Sequence, residues 1–300
     1  MKKQSSLPGQ LMILASALLW STAGILVKLI PWGGFSIASI RGLICTLFLL
    51  ALRQLRRRRG QYAPVRFSRH NIAAGVAMFL TGALFMASNK LTTAANAIVL
   101  QYIAPILILL YTTVVQKRRP TAVEIALTAV VFVGCVLAFC DKLGGSGTLG
   151  DVLAIISGFT FAALILINGM EKTQPEDGQI IGCGLSFICC LPFVFTDSHF
   201  IITWESVGAM LALGLVQYSL ANILFGKGIK KTEPTAASVI LTMAPIMNPV
   251  WVFLMLGEAP GPLALTGFVL VVAAVTLQSL IPNLRRRKRP GDVQSAAAEQ

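Results

Sequence analysis

The sequence predicts an all-α membrane protein of ten transmembrane helices, arranged as two inverted five-helix repeats. Three observations predict it. Hydrophobic residues make up 55 % of the chain, charged residues only 12 %, and the mean hydropathy is +0.76, whereas a soluble chain carries about 25 % charged residues to cover its core. The charges cluster in short stretches between ten apolar runs, each close to the roughly 20 residues that cross a hydrocarbon core of about 30 Å. The chain also matches itself when shifted by 140 residues.

In order, the spans are Gly9–Leu29, Gly34–Leu52, Asn71–Ser88, Ala94–Val115, Thr121–Cys140, Gly150–Met170, Gly178–Thr196, Glu205–Phe225, Pro234–Met255 and Gly261–Ile281. The first is too long to be a cleaved signal segment, is followed at once by another span, and is not followed by an A-x-A-like site. The chain is therefore read as intact and polytopic. The third and seventh are the shortest. Between the fifth and sixth lies Gly144-Gly145-Ser146-Gly147-Thr148, flexible by composition.

The net charge of +13 is a question of distribution. With the N-terminus inside, the cytoplasmic segments hold 21 of the 25 basic residues, from Lys2 and Lys3 through Arg53–Arg59 to Arg285–Arg289. The opposite loops hold only Lys90 and Lys142, and Lys28 and Arg41 lie within spans. Positive charge on one side sets orientation, so both termini are expected in the cytoplasm of a cell-membrane protein. The basic groups are expected to touch anionic lipid heads. Nucleic acid is not an expected partner, because no domain exists to organise it.

All six cysteines lie in apolar spans and read as small buried hydrophobes. Both histidines, His70 and His199, lie at span ends, and no Cys/His constellation with metal-ligand spacing exists. No cofactor and no metal are implied, and no pair of catalytic groups shares a depth in the membrane.

The self-match places Lys90–Leu107 on Lys230–Met247 at a shift of 140, with identities at Lys90/Lys230, Thr92/Thr232, Ala97/Ala237, Val99/Val239, Ala104/Ala244, Pro105/Pro245 and Ile106/Ile246. An odd number of spans per repeat turns the second copy upside down, and such repeats place a small-molecule site near the membrane midplane between the halves. The expected divisions are residues 9–140, residues 150–281 and a basic tail at 282–300.

The runs NKLTTAANAIVLQYIAPILILL (89–110) and GKGIKKTEPTAASVILTMAPIMNPVWVFLMLGE (226–258) resemble the two signature stretches of the drug/metabolite transporter superfamily, EamA branch. That pattern is an Ala-rich helix with a mid-helix A-P that ends in an L-G-E turn. Arg41, within SIASIRGLI, resembles an arginine this family carries there. One departure stands out: the first half has Gln116-Lys117-Arg118 where the second has Leu256-Gly257-Glu258, so any role of the glutamate turn carries over to Glu258 alone. The resemblance covers about residues 10–281. It implies ten helices in two inverted halves, a central cavity, and alternating-access transport of small metabolites such as amino acids, amines, nucleosides or sugar derivatives. Export is slightly favoured by the resemblance alone.

Candidate residues follow from depth and chemistry. Pro105 sits midway along the fourth span and offers no N–H to the Gln101 carbonyl; Pro245 leaves the Leu241 carbonyl free, and Pro249 that of Pro245. Freed carbonyls at membrane depth are tolerated inside protein or beside a watery cavity, so spans four and nine are expected to be bent cavity walls, with local filling of the gaps as the alternative. Gln101 and Tyr102 flank one bend; Asn248 and Trp251 lie beside the other. Gln217, Tyr218 and Asn222 are central in the eighth span, and Trp20 and Ser21 in the first. Polar groups facing lipid are costly, so these face the bundle, either as substrate contacts or as glue between helices. Trp20 and Tyr102 offer faces to an apolar or cationic group, or simply pack.

Trp32 and Trp204 sit at span ends and read as interface anchors; Lys28 is expected to snorkel. Arg41 lies about 10 Å into the second span and needs water or a partner. Anchoring through carbonyls or a helix end, binding of a substrate carboxylate, and snorkelling all remain open for it. Acidic groups stay within about a turn of span ends, which argues against a buried carboxylate relay for proton coupling. The expected function is a secondary transporter, as exporter or facilitator, of a small polar or amphipathic metabolite, and not an enzyme. A lipid flippase and, further off, an integral membrane enzyme are the alternatives. Monomer and homodimer fit the sequence equally.

Overall fold

The computed structural model describes residues 6–58, 64–117, 119–140, 147–170, 172–229, 231–232, 240–241, 243–257 and 259–287. Among these the chain is helical throughout, as expected where lipid offers no partner to backbone groups and a helix satisfies them internally. The ten helices are α1 (Leu7–Leu29), α2 (Gly34–Arg58), α3 (Arg69–Leu91), α4 (Ala94–Val114), α5 (Ala122–Cys140), α6 (Thr148–Asn168), α7 (Pro175–Thr196), α8 (Trp204–Phe225, continuing to Ile229), α9 (Met243–Leu256) and α10 (Pro262–Arg287). Eight of them are long and apolar enough to cross a membrane, and α9 and α10 contain shorter apolar helices. The chain is a multi-pass membrane protein.

Side-chain oxygens at the span edges start these helices. The Ser6 hydroxyl accepts from the Gly9 N–H at 3.3 Å, that of Ser68 from Asn71 at 3.2 Å and that of Thr93 from Asn96 at 3.2 Å. Thr121 and Glu124 form a reciprocal cap, the Glu124 carboxylate accepting from the Thr121 N–H at 2.8 Å and the Thr121 hydroxyl from the Glu124 N–H at 3.3 Å. This gives Glu124 a structural task at its span edge. The largest difference from the expected spans is at helix ends: α2 runs on to Arg58 and α10 to Arg287, because long basic side chains continue a helix readily beyond the apolar core. The first part of the ninth expected span, residues 234–239, lies outside the described residues.

Three helices are irregular. α1 is interrupted at Thr22, whose N–H and hydroxyl both donate to the Leu19 carbonyl (3.2 and 2.7 Å). α4 is interrupted at Tyr102–Ile103 and restarts at Ala104, with Pro105 in the first turn of the second segment. α8 contains a π-helical stretch over Ala212–Leu220.

Packing joins the front of the chain to its back. α3 lies on α6 and α7, α2 on α7 and α8, α1 on α8 and α9, α4 on α6, and α5 on α10. One apolar cluster, including Val27, Ile30, Ile37, Met86, Met210 and Leu213, fills the space between α1, α2, α3 and α8; a second, with Val99, Leu100, Val131, Cys135 and Val271, fills that between α4, α5 and α10. Trp204, 89 % exposed, remains at the surface as an interface anchor would. Trp32 does not. It is 3 % exposed, donates from Nε1 to the Ile201 carbonyl at 2.7 Å, and its ring centroid lies 4.4 Å from that of Phe200. The Lys28 ammonium donates to the Thr92 carbonyl at the α3–α4 turn, 2.9 Å away. Cys140 and Cys189 are exposed, while the other four cysteines are buried.

Candidate functional site

The π-helical stretch of α8 organises the centre of the molecule. A π turn shifts the side chains that follow it around the helix, and such turns are frequent at functional sites. The Gly214 carbonyl accepts from the Ser219 hydroxyl at 2.8 Å and from the Cys45 thiol at 3.4 Å, which supplies partners where the backbone ladder is disturbed. Two consecutive residues then face different neighbours: Gln217 reaches α1, and Tyr218 reaches α2.

On the α1 side, Gln217 Nε2 donates to the Trp20 carbonyl at 3.4 Å, two residues before the interruption at Thr22. The Trp20 ring lies 5.3 Å from that of Phe225, and Trp251 Nε1 donates to the Ser21 hydroxyl at 2.9 Å. Asn248 of α9 is 1 % exposed and its Oδ1 has no hydrogen-bond partner among the described residues. The space beside that oxygen is set by Gly24: a Cβ there would lie 2.4 Å from Asn248 Oδ1. Gln217 Oε1 is also buried without a partner. Two acceptor oxygens thus converge on the broken helix α1, where a buried acceptor costs about 1–3 kcal/mol unless a donor reaches it. Asn222 faces inward less freely, since its Nδ2 donates to the Tyr218 carbonyl at 2.6 Å.

On the α2 side, Arg41 is 8 % exposed and its guanidinium carbon lies 4.8 Å from the centroid of the Tyr218 ring. It lines a small cavity with Met78, Phe79, Cys183, Ser186 and Tyr218. Gly82 of α3 leaves room for the guanidinium, as a Cβ there would lie 2.6 Å from Arg41 Nη2.

The α4 break is more fully satisfied. Gln101 Nε2 donates to the Ser157 hydroxyl at 2.7 Å, Ser157 donates to the Thr81 carbonyl at 3.0 Å, and the Thr81 hydroxyl donates to that of Thr160 at 2.9 Å. Gln101 therefore ties α4 to α6, and Tyr102 packs against the apolar cluster of α4, α5 and α10. Pro105 lies in the first turn after the interruption of α4, where its missing N–H costs little. Pro245 is buried near the start of α9, and Pro249 lies inside that helix. Glu258 lies outside the described residues. The turn before it is described: Gly257 has φ +67° and donates its N–H to the Phe253 carbonyl at 2.9 Å. Lys117, its counterpart in the first half, has φ +53°, so the departure in sequence keeps the same left-handed turn.

Two acids, one buried and one half-buried, escape sequence reasoning because their partners are distant in the chain. Asp177, in the first turn of α7 and 1 % exposed, pairs with Arg53 of α2 at 2.5 Å and accepts from the Arg66 N–H at 3.1 Å and Asn71 Nδ2 at 3.3 Å. At the other end of the same helix pair, Asp197 accepts from the Gly33 N–H at 2.7 Å and the Ser36 hydroxyl at 2.6 Å. Burial alone would raise the Asp197 carboxyl; the donors Ser36, Gly33 and His199 outweigh it and hold the group below the usual carboxylate range. α2 and α7 are thereby fastened at both ends.

Comparison with known proteins adds the following. The model of the EamA-like transporter family matches residues 7–140 and 148–280. YwfM, an uncharacterized transporter of Bacillus subtilis strain 168, is 27 % identical over 289 residues, which span 92 % of this chain and 95 % of that one. YicL, an uncharacterized inner membrane transporter of Salmonella typhimurium, is 23 % identical over 305 residues, spanning 95 % and 99 %. One solved crystal structure shares the fold with a TM-score of 0.64 and 17 % identity, covering 91 % of this chain and 98 % of that one.

Proposed function

The chain belongs to the EamA-like transporter family, and we propose that it is a secondary transporter, an exporter or facilitator, that moves a small polar or amphipathic metabolite by alternating access between two inverted five-helix halves, residues 9–140 and 150–281. One recurring contact carries this reading. Ser157 of α6 donates to the Thr81 carbonyl of α3 at 3.0 Å, and Ser16 of α1 donates to the Ala221 carbonyl of α8 at 2.9 Å. Residues 81 and 221 are 140 apart, the shift at which the sequence matches itself, and 16 and 157 are 141 apart, within one residue of it. The helix pairs follow the same exchange of each helix with the one five later: α3 on α6 with α8 on α1, α4 on α6 with α9 on α1, and α3 on α7 with α8 on α2. The left-handed turns at Lys117 and Gly257 fit it as well.

The exchange also relates two closures at opposite ends. Where α1 begins, the Ser6 N–H donates to the Lys231 carbonyl at 3.0 Å and Gly9 lies against Thr232. Where α6 begins, Gly150 lies against Leu91 and Thr92, and the Thr92 hydroxyl donates to Asp151 Oδ1 at 2.7 Å. Opening one closure while the other holds exposes the central groups Trp20, Gln217, Tyr218 and Asn248 to one side at a time. The basic ends support a cytoplasmic position for the first closure in a cell-membrane protein. A thermal-shift screen of purified protein against a metabolite library tests the reading: members of one chemical class raise the melting temperature by binding the folded state, and a library that leaves it unmoved overturns the reading.

A further inference from the structure

We propose that Arg41 is the binding group for a carboxylate on the transported molecule, so that the substrates of this protein are organic acids or zwitterions rather than neutral or purely cationic compounds. The inference rests on the transporter reading and narrows its substrate class.

A guanidinium within a membrane span is costly unless something answers its charge. Among the described residues none forms a hydrogen bond or ion pair with Arg41; its guanidinium lies over the Tyr218 ring and packs against Gly82 of α3. The buried and half-buried acids of these helices are committed elsewhere. Asp177 is paired with Arg53, Asp197 caps the start of α2, and Asp151 accepts from Thr92 and Asn96. A ring beneath a cation holds it without using an N–H donor, so the donor fork of Arg41 stays available for the bidentate geometry that suits a carboxylate.

The position is equally specific. The guanidinium borders a cavity whose other walls come from α3, α7 and α8, which places it between the two proposed halves. Met78 and Phe79 supply apolar surface, and Gly82 lets Nη2 approach the backbone of α3 closely. Gln217, the residue before Tyr218, faces α1, and its Oε1 lacks a donor.

The test uses the full chain, purified in nanodiscs, with matched probes: L-amino acids and the corresponding L-amino acid amides, together with acetate, propionate and butyrate. Binding is read by tryptophan fluorescence and by thermal shift. The expected result is that at least one carboxylate binds and that its amide binds about 10–100-fold more weakly, the loss expected for a charge-assisted hydrogen-bonded contact. Arg41→Gln abolishes the preference, and Arg41→Lys restores part of it. Gly82→Ala, which crowds the guanidinium without changing any charge, weakens carboxylates and spares amides. Equal affinity for acid and amide in the wild-type protein overturns the assignment without any variant having to fold. So does a panel from which no carboxylate binds. Flux of a neutral or cationic compound through proteoliposomes under either outcome leaves the transporter reading standing and removes only the role of Arg41.

Discussion

Removing the Asp177 carboxylate tests how far the front of the chain is fastened to its back. Asp177 is buried at the start of α7; one oxygen meets Arg53 Nη1 at 2.5 Å, and the other accepts from the Arg66 N–H and Asn71 Nδ2. Asp177→Ala leaves a largely buried guanidinium and two N–H donors without their acceptor. Breaking a buried pair from one side costs about 3–5 kcal/mol. Arg53 keeps its Nη2 contact to the Pro64 carbonyl at 3.2 Å, which puts the expected loss at the lower end, about 3 kcal/mol. At roughly 2 °C per kcal/mol for a chain of this size, the melting temperature falls by about 6 °C. Asp177→Asn keeps the shape and one acceptor, and loses about half as much. The double change Arg53→Met with Asp177→Leu recovers part of the loss, because the orphaned charge costs more than the pair contributes. The assay is thermal unfolding in mild detergent followed by tryptophan fluorescence. A shift below about 2 °C for Asp177→Ala would mean that the buried pair does not hold α2 to α7.

Three further outcomes are expected. Gly24→Ala places a Cβ 2.4 Å from Asn248 Oδ1, costs about 1–3 kcal/mol by overpacking, and weakens ligand binding; adding Asn248→Ala restores stability but not binding, as paired thermal-shift and binding titrations will show. Lys117→Gly relieves a left-handed φ of +53° and stabilises by about 1 kcal/mol, while Gly257→Ala destabilises by about as much, both read from melting temperatures. For Asp197 the folded carboxyl lies below its unfolded value of about 3.9, so its contribution is fully present above that pH and is lost as the pH falls through the lower folded value. Asp197→Asn therefore flattens the acid limb of a stability-against-pH curve below about pH 4 and leaves the neutral range with a constant offset.

Much of the helix plan was legible because it depends on local composition: an apolar run of about 20 residues has few alternatives to a membrane helix. Pro105 shows the boundary of that legibility. Sequence places it in the middle of a span, yet the chain breaks at Tyr102–Ile103 and lets the proline start a new segment, since a helix N-terminus accommodates proline without a lost hydrogen bond. The buried partners were not legible. Arg53 and Asp177 are 124 residues apart and Trp32 and Ile201 169 apart, and no local pattern announces either contact. The π-helical stretch of α8 is similarly silent, because a one-residue shift in hydrogen bonding leaves the apolar pattern intact. Of the polar residues singled out from depth alone, Gln217, Tyr218 and Asn248 converge on the centre with Trp20 and Arg41, whereas the Gln101 amide is engaged by Ser157. Depth selects residues that avoid lipid; only packing separates those that hold helices together from those left with an open donor or acceptor.

The central claim, that a small molecule crosses the membrane through the polar centre shared by the two halves, is tested most directly by efflux from proteoliposomes loaded with a metabolite pool and followed by mass spectrometry. The account predicts that one chemical class leaves the vesicles in a saturable manner, and that Gly24→Ala, which displaces Asn248, suppresses that efflux at matched protein content. An efflux profile identical to that of protein-free vesicles, or one that Gly24→Ala leaves unchanged, would contradict it.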